Sequence, residues 1–97
     1  MDLDFTAAAV LDGDRVVVTV TGEVDMSTAD TMFRVATRDS AGAATLDLRA
    51  VTFFDSAAIH ALLRLAQHYR HNLRVLPSDQ VRRVLEISGL TGQPWLG

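Results

Sequence analysis

Apolar and polar residues change period several times along this chain, and each change marks an element. From Phe5 to Val10 and again from Arg15 to Val20 the residues favour β structure, with Leu11-Asp12-Gly13-Asp14 between them. An Asp-Gly pair between two such runs predicts a tight antiparallel hairpin, because glycine enters positive φ without steric cost. In the second run Val16, Val18 and Val20 fall on one face and Thr19 and Thr21 on the other, so one face is read as buried and the other as more polar. Gly22 is read as the end of that strand.

The period then lengthens. Ala29, Met32, Phe33 and Ala36 stand at i, i+3, i+4 and i+7 behind Ser27 and Asp30, which have the spacing of a loose capping box. This predicts an amphipathic helix that ends before Gly42. Ala44, Leu46 and Leu48 alternate with Thr45 and Asp47 in a short strand, and Arg49 to Phe54 lead to Asp55-Ser56, a good N-cap pair. A second helix is expected from Ala57 to about His71, with Ile59, Leu62, Leu63 and Ala66 on its inner face and Leu65 and Tyr69 widening it. Asn72 is the expected left-handed terminator. Leu73 to Leu76 form a four-residue apolar strand, and Pro77-Ser78 open a third helix through Ile87 with Val81, Val84 and Leu85 inward. Gly89 suits the position just past that helix, with Leu90 closing the cap, and in the tail Thr91 to Gly97 the Trp95 ring reads either as packing over an exposed sheet edge or as an apolar element that a partner covers, the first being preferred.

The order is ββαβαβα. Strands joined by helical crossovers pair in parallel with right-handed connections, whereas the opening hairpin is antiparallel, so the fold class is α/β with a mixed sheet covered by helices. At 97 residues the chain fits one domain spanning positions 1–97, and 48% hydrophobic with 22% charged residues is ordinary for a globular fold. The net charge is −3 and the nine basic residues, all arginine, are scattered, which argues against a nucleic-acid footprint. Cysteine is absent, so disulfides and thiolate chemistry are excluded. The first four residues carry two acids and no basic leader, and no apolar run nears the roughly 18 residues that span a bilayer, so a cytoplasmic protein without membrane insertion is expected.

The candidate chemistry is sparse. His60, His68 and His71 share one predicted helix, and His68 to His71 has an i, i+3 spacing, but no third ligand stands at a suitable distance, so no metal site is expected. Glu23, Asp25 and Asp55 all stand where a strand ends or a helix begins. Paired carboxylates can do acid–base work, yet acids there more commonly cap free amides and offset the helix dipole, so no catalytic residue is assigned and the protein is not expected to be an enzyme. Gly89 to Gly92 lack the spacing and following helix of a phosphate loop, so no cofactor is expected. Phe53-Phe54 read either as one ring in the core and its neighbour exposed beside a helix start, or as two buried rings.

Three segments in order resemble the STAS domain family, whose members include bacterial anti-sigma factor antagonists. They are Val20-Thr21-Gly22-Glu23-Val24-Asp25, Leu46-Asp47-Leu48 leading into Val51-Thr52-Phe53-Phe54-Asp55-Ser56, and Val84-Leu85-Glu86-Ile87-Ser88-Gly89-Leu90. The resemblance implies a module of partner switching and transcription regulation that docks an anti-sigma factor or related regulatory kinase. It implies contact residues Glu23, Asp25, Ser27, Phe54, Asp55, Ser56, Ala57 and Ala58. The family motif runs aspartate, serine, then serine or threonine, then glycine, with phosphate on the third residue. Here that residue is Ala57, which has no hydroxyl, and Ala58 replaces the glycine. Either Ser56 serves as acceptor or the domain lacks the phospho-switch, and the second reading is preferred. The resemblance also admits an alternative, a non-phosphorylated STAS subunit of an ATP-driven lipid transporter or other assembly.

Overall fold

The structure, a computed structural model, describes residues 4–97. Its elements are β1 (Phe5–Asp12), β2 (Arg15–Val24), α1 (Ala29–Thr37), β3 (Ala43–Phe54), α2 (Ser56–Tyr69), a 3-10 turn (Arg70–Asn72), β4 (Leu73–Pro77) and α3 (Asp79–Ile87). The order is ββαβαβα, as the pattern predicts, and the sheet runs β1-β2-β3-β4 with the first pair antiparallel and the others parallel. The Asp-Gly hairpin forms, with Asp12 opposite Arg15 and Gly13 at φ +62°.

The sheet buries one face only. Val16 and Val18 of β2 align with Ala44 and Leu46 of β3, which align with Leu73 and Val75 of β4, and all of these and Val20 are buried. Met32 of α1, Leu62 and Leu65 of α2 and Leu85 of α3 close over that face with no exposed surface. The molecule is only 18 Å along its shortest axis, the thickness of one sheet and one helical layer. On the uncovered face Thr6 meets Thr21, and the Arg15 guanidinium donates to Thr45 Oγ1 at 3.1 Å. The second edge of the sheet is closed by the tail: Val75 N–H donates to the Trp95 carbonyl (2.7 Å) and Gly97 N–H to the Val75 carbonyl (2.9 Å), while the Trp95 ring is buried. Trp95 covers the β4 edge as expected.

Several local expectations need correction. Gly22 does not end β2, which continues to Val24. It sits at φ +87° opposite Phe5, where a side chain would collide with the Asp4 carbonyl, and the next amide, Glu23 N–H, donates to that carbonyl at 2.6 Å. Gly22 therefore bends the strand without ending it, as glycine does at a bulge. β3 is likewise a single strand of 12 residues. Its pairing with β2 slips by one residue between Asp47 and Ala50 and again between Val51 and Phe53. The slips change its inward period from two to three, so Leu48, Val51 and Phe54 are buried while Arg49, Ala50, Thr52 and Phe53 are exposed. Asp47 clamps the first slip, accepting from Arg49 N–H (3.1 Å), Nε (3.0 Å) and an Nη (2.9 Å).

The inner stripe of α2 is Ala58, Ala61, Leu62, Leu65 and Tyr69; Ile59 and Ala66 are half-buried and Leu63 is exposed. The helix is rotated by about one residue from the sequence reading, because its small alanines, and not its larger Ile59 and Leu63, fit against the sheet. The left-handed terminator is Arg70 at φ +56°, not Asn72, and its N–H still reaches the Ala66 carbonyl.

Gly22 yields the sharpest stability prediction. Gly22→Ala combines positive φ with a backbone collision and should cost about 2 kcal/mol or more. Urea denaturation measures this directly, and an unchanged midpoint would show that the bend is not obligatory.

Candidate functional site

The site is built by the parallel pairing of β2 and β3, which continues to their last residues, Val24 opposite Phe54. Both strands end at one level and the chain then turns into a helix after each, so the loop 25–28 and the turn at Asp55 lie side by side, joined by the Asp55 N–H to Val24 carbonyl bond (3.3 Å). The helices that follow are neighbours and run the same way. Arg64 of α2 stands 3.6 Å from Asp30 of α1, and the Tyr69 hydroxyl donates to the Ala36 carbonyl farther along. Two helix N-termini, each with free amides and a partial positive charge, thus share one end of the molecule.

Asp25 orders the first loop. Its Oδ1 accepts from Ser27 N–H (2.9 Å) and Ser27 Oγ (2.7 Å), and lies 3.2 Å from Thr28 Oγ1. Its carbonyl accepts from the amides of Thr28 (3.1 Å) and Ala29 (2.8 Å), and its N–H donates to Thr28 Oγ1 (2.9 Å). The capping box expected from Ser27 and Asp30 does not form; Thr28 is the N-cap and makes no side-chain cap bond. Hydrogen bonds from Ser27 to the Asp25 carboxylate, aided by those from Thr28, hold its pKa below the ordinary 3.8.

Asp55 orders the second loop as N-cap of α2, its Oδ1 accepting from Ala58 N–H at 3.0 Å. Ser56 is the first helical residue and is exposed, so the cap belongs to Asp55 alone. Ala57 is half-buried and Ala58 is fully buried. Ala58 does not have positive φ, so the turn makes no demand for a glycine at that position.

Two of the residues expected at a contact surface are not on it. Phe54 is 3% exposed and Ala58 is 0% exposed, so both support the site from the core. The ring that faces out is Phe53, 44% exposed, because the second slip in β3 precedes it. Glu23, Ser27 and Ser56 are exposed, and Asp25, Asp55 and Ala57 are partly so. Between the two helix starts runs a groove lined by Met26, Ala29, Asp30, Ala57, His60, Ala61 and Arg64. Met26 stands 85% exposed at its mouth, and the Arg64 guanidinium lies 4.0 Å from the centre of the Phe33 ring. Sequence reasoning missed Met26, His60 and Arg64 as parts of this site. Met26 carried a usable signal, an apolar residue in an otherwise polar turn.

His60 lines the groove, whereas His68 packs edge-on against Phe33 and Tyr69. Among the described residues no three metal-ligating side chains converge, and no helix is long and apolar enough to cross a membrane.

The arrangement defines a class: a small mixed-sheet α/β domain with two adjoining helix starts and a groove of mixed polarity between them. A family model for the STAS domain matches residues 6–96, and the chain belongs to that family. The structure of an anti-sigma factor antagonist from Mycobacterium paratuberculosis aligns with a TM-score of 0.82 at 26% identity, covering 98% of this chain and 87% of that one. The anti-sigma factor antagonist SpoIIAA in its unphosphorylated form aligns with a TM-score of 0.73 at 21% identity, covering 96% and 85%. The Bacillus cell fate determinant SpoIIAA in its phosphorylated form gives 0.67 at 19%, covering 96% and 88%. A comparison with curated proteins finds no match.

The caps generate two predictions. Asp55→Ala removes an N-cap and should cost about 1 kcal/mol, read as a shift in the thermal or urea midpoint. The Asp25 pKa is depressed on folding, so its contribution is present above the ordinary 3.8 and fades as pH falls through the lower folded value. Asp25→Asn should therefore be less stable than wild type at neutral pH, with the gap narrowing as pH drops below 3.8. A gap independent of pH would show that the carboxylate charge contributes nothing to the loop.

Proposed function

We propose that this chain is a cytoplasmic protein-docking regulator of the anti-sigma factor antagonist kind, and that its docking surface is fixed and not phospho-switched. Its contact surface comprises Glu23, Asp25, Met26 and Ser27 from the first loop and Phe53, Asp55, Ser56 and Ala57 from the second, with Phe54 and Ala58 bracing it from within. The partner is an anti-sigma factor or related regulatory kinase. The observation that carries this reading is the pair of exposed apolar side chains near the ends of the paired strands, Met26 in the loop after β2 and Phe53 at the end of β3. Large apolar groups held on rigid elements are what a protein interface uses as anchors.

A binding role is supported further by how the acids are used. Asp25 and Asp55 spend their carboxylate oxygens on the neighbouring amides and hydroxyls of their own loops. Neither is arranged with a nucleophile or a histidine in the geometry of acid–base work. The fixed surface follows from Ala57, which stands where the family motif carries the phosphorylated hydroxyl. That same residue favours a second reading, a non-phosphorylated subunit of an ATP-driven transporter or other assembly.

Affinity capture with candidate anti-sigma kinases tests the surface. Phe53→Asp, Met26→Asp and Asp25→Lys should each weaken capture by about tenfold or more, and unchanged capture by all three would remove this face from consideration. Recovery of a transporter ATPase in place of an anti-sigma factor would decide for the second reading. Incubation with ATP and the captured kinase should leave the intact mass unchanged. One added phosphate mapping to Ser56 would overturn the fixed surface.

A further inference from the structure

The two edges of the sheet are treated differently. The β4 edge is closed by the bridge to Leu96, whereas β1 ends the sheet with no described element beside it. In the hairpin, Asp12 opposite Arg15 is the closing pair, so alternate residues Val10, Ala8 and Thr6 direct their backbone groups to β2. Phe5, Ala7, Ala9 and Leu11 therefore turn both N–H and carbonyl outward. Natural edge strands are usually blunted by lysine, proline, bulges or inward-pointing charges. This one has none of these: its pairing with β2 is unbroken and its middle reads Thr-Ala-Ala-Ala-Val.

What lies above that edge gives the partner its chemistry. α1 turns Asp30, Phe33 and Ala36 toward α2, which places its opposite flank over β1. The exposed side of α1 carries a groove lined by Thr31, Arg34, Val35, Thr37 and Arg38. Val35 is half-buried and packs against the core, as Ala7 and Ala9 of β1 do, and both arginines are exposed. An added strand would place alternate side chains under this flank, apolar ones against Val35 and an acid within reach of Arg34 and Arg38.

We propose that β1 is a second interaction site, independent of the helix-start surface, which takes an extended segment of another protein by strand addition. The segment is apolar at alternate positions and acidic near its centre. Charge decides against a second copy of this chain as occupant. Antiparallel self-pairing centred on Ala8 brings Arg34 and Arg38 toward their own counterparts across the two-fold axis. A central acid on a foreign strand meets the arginines.

The test uses the full chain and two labelled ten-residue peptides of alternating valine and threonine, one with two central glutamates and one with two central lysines. Fluorescence anisotropy should show the glutamate peptide binding about tenfold more tightly. Arg34→Glu with Arg38→Glu, both at exposed helix positions, should reverse the preference. Amide shifts on binding should concentrate in Phe5, Ala7, Ala9 and Leu11. Ala9→Pro should abolish binding without removing a bond to β2, and Asp25→Lys should leave it unchanged. Equal binding of the two peptides, shifts centred on another surface, or a dimer of the free chain that protects the β1 amides would each overturn the proposal.

Discussion

Everything at the contact end of this molecule depends on one constraint, the parallel pairing of β2 with β3 to their last residues. β4 pairs with β3 only as far as Leu48 opposite Pro77, yet β3 continues for six further residues. Over that distance it is held by β2 on one side, and on the other by Ser78, whose N–H donates to the Leu48 carbonyl and whose hydroxyl donates to the Val51 carbonyl. Were the pairing to stop at Asp47, the loops around Asp25 and Asp55 would be unrelated in space. The two slips in register are what let the pairing continue. Each adds a residue to β3 and increases the local twist, and together they restore Phe54 to the core while leaving Phe53 outside.

The electrostatics follow from that geometry. Two helix N-termini at one end concentrate partial positive charge, and Asp25 and Asp55 answer it at short range. The lowered pKa of Asp25 keeps it ionised at neutral pH, so the surface around these loops stays acidic. Its most accessible features are Met26 and Phe53. Arg64 ties the two helices together behind the groove, held between Asp30 and the Phe33 ring. Exposed pairs of this kind contribute little to stability, but they hold the walls of a groove at a set spacing.

The order of elements, the hairpin and the covered face were legible because each rests on a local period that survives in the fold. Val16, Val18 and Val20 alternate, and they are buried. The reading failed where the physics is not local. No pattern within Arg49 to Phe54 announces two bulges, since they are set by what β2 requires opposite them, and Phe54 was placed at the surface on the family resemblance alone, although unbroken alternation from Leu48 would have put it inside. Gly22 looked like a strand breaker because its close approach to Asp4 lies eighteen residues back along the hairpin. The rotation of α2 was hidden for a related reason. Ile59 and Leu63 are more hydrophobic than Ala58 and Ala61, but small residues allow the helix to sit close to the sheet. The acids were located correctly at the helix starts, yet their division of labour, with Asp25 binding Ser27 within the loop and Thr28 standing at the N-cap, needed the loop's actual path.

Ala57 and Ala58 can now be weighed by what each position does. A phosphate at a helix N-terminus is well tolerated by the helix itself, since free amides and the dipole favour an anion. A switch at this turn therefore works by repelling a partner and not by unfolding the domain. On the proposed reading the missing hydroxyl at Ala57 removes the usual source of that repulsion, Ser56 being the hydroxyl left at the turn, and the docking face stays in its binding form. Ala58 acts in the same direction. It is fully buried and its backbone does not use positive φ, so a glycine there would exchange a packed methyl group for a cavity and loosen the first turn by roughly 1 kcal/mol. On the proposed reading both residues favour a rigid, always-competent surface, and control of binding must lie with the partner's availability or with a second contact elsewhere on the domain.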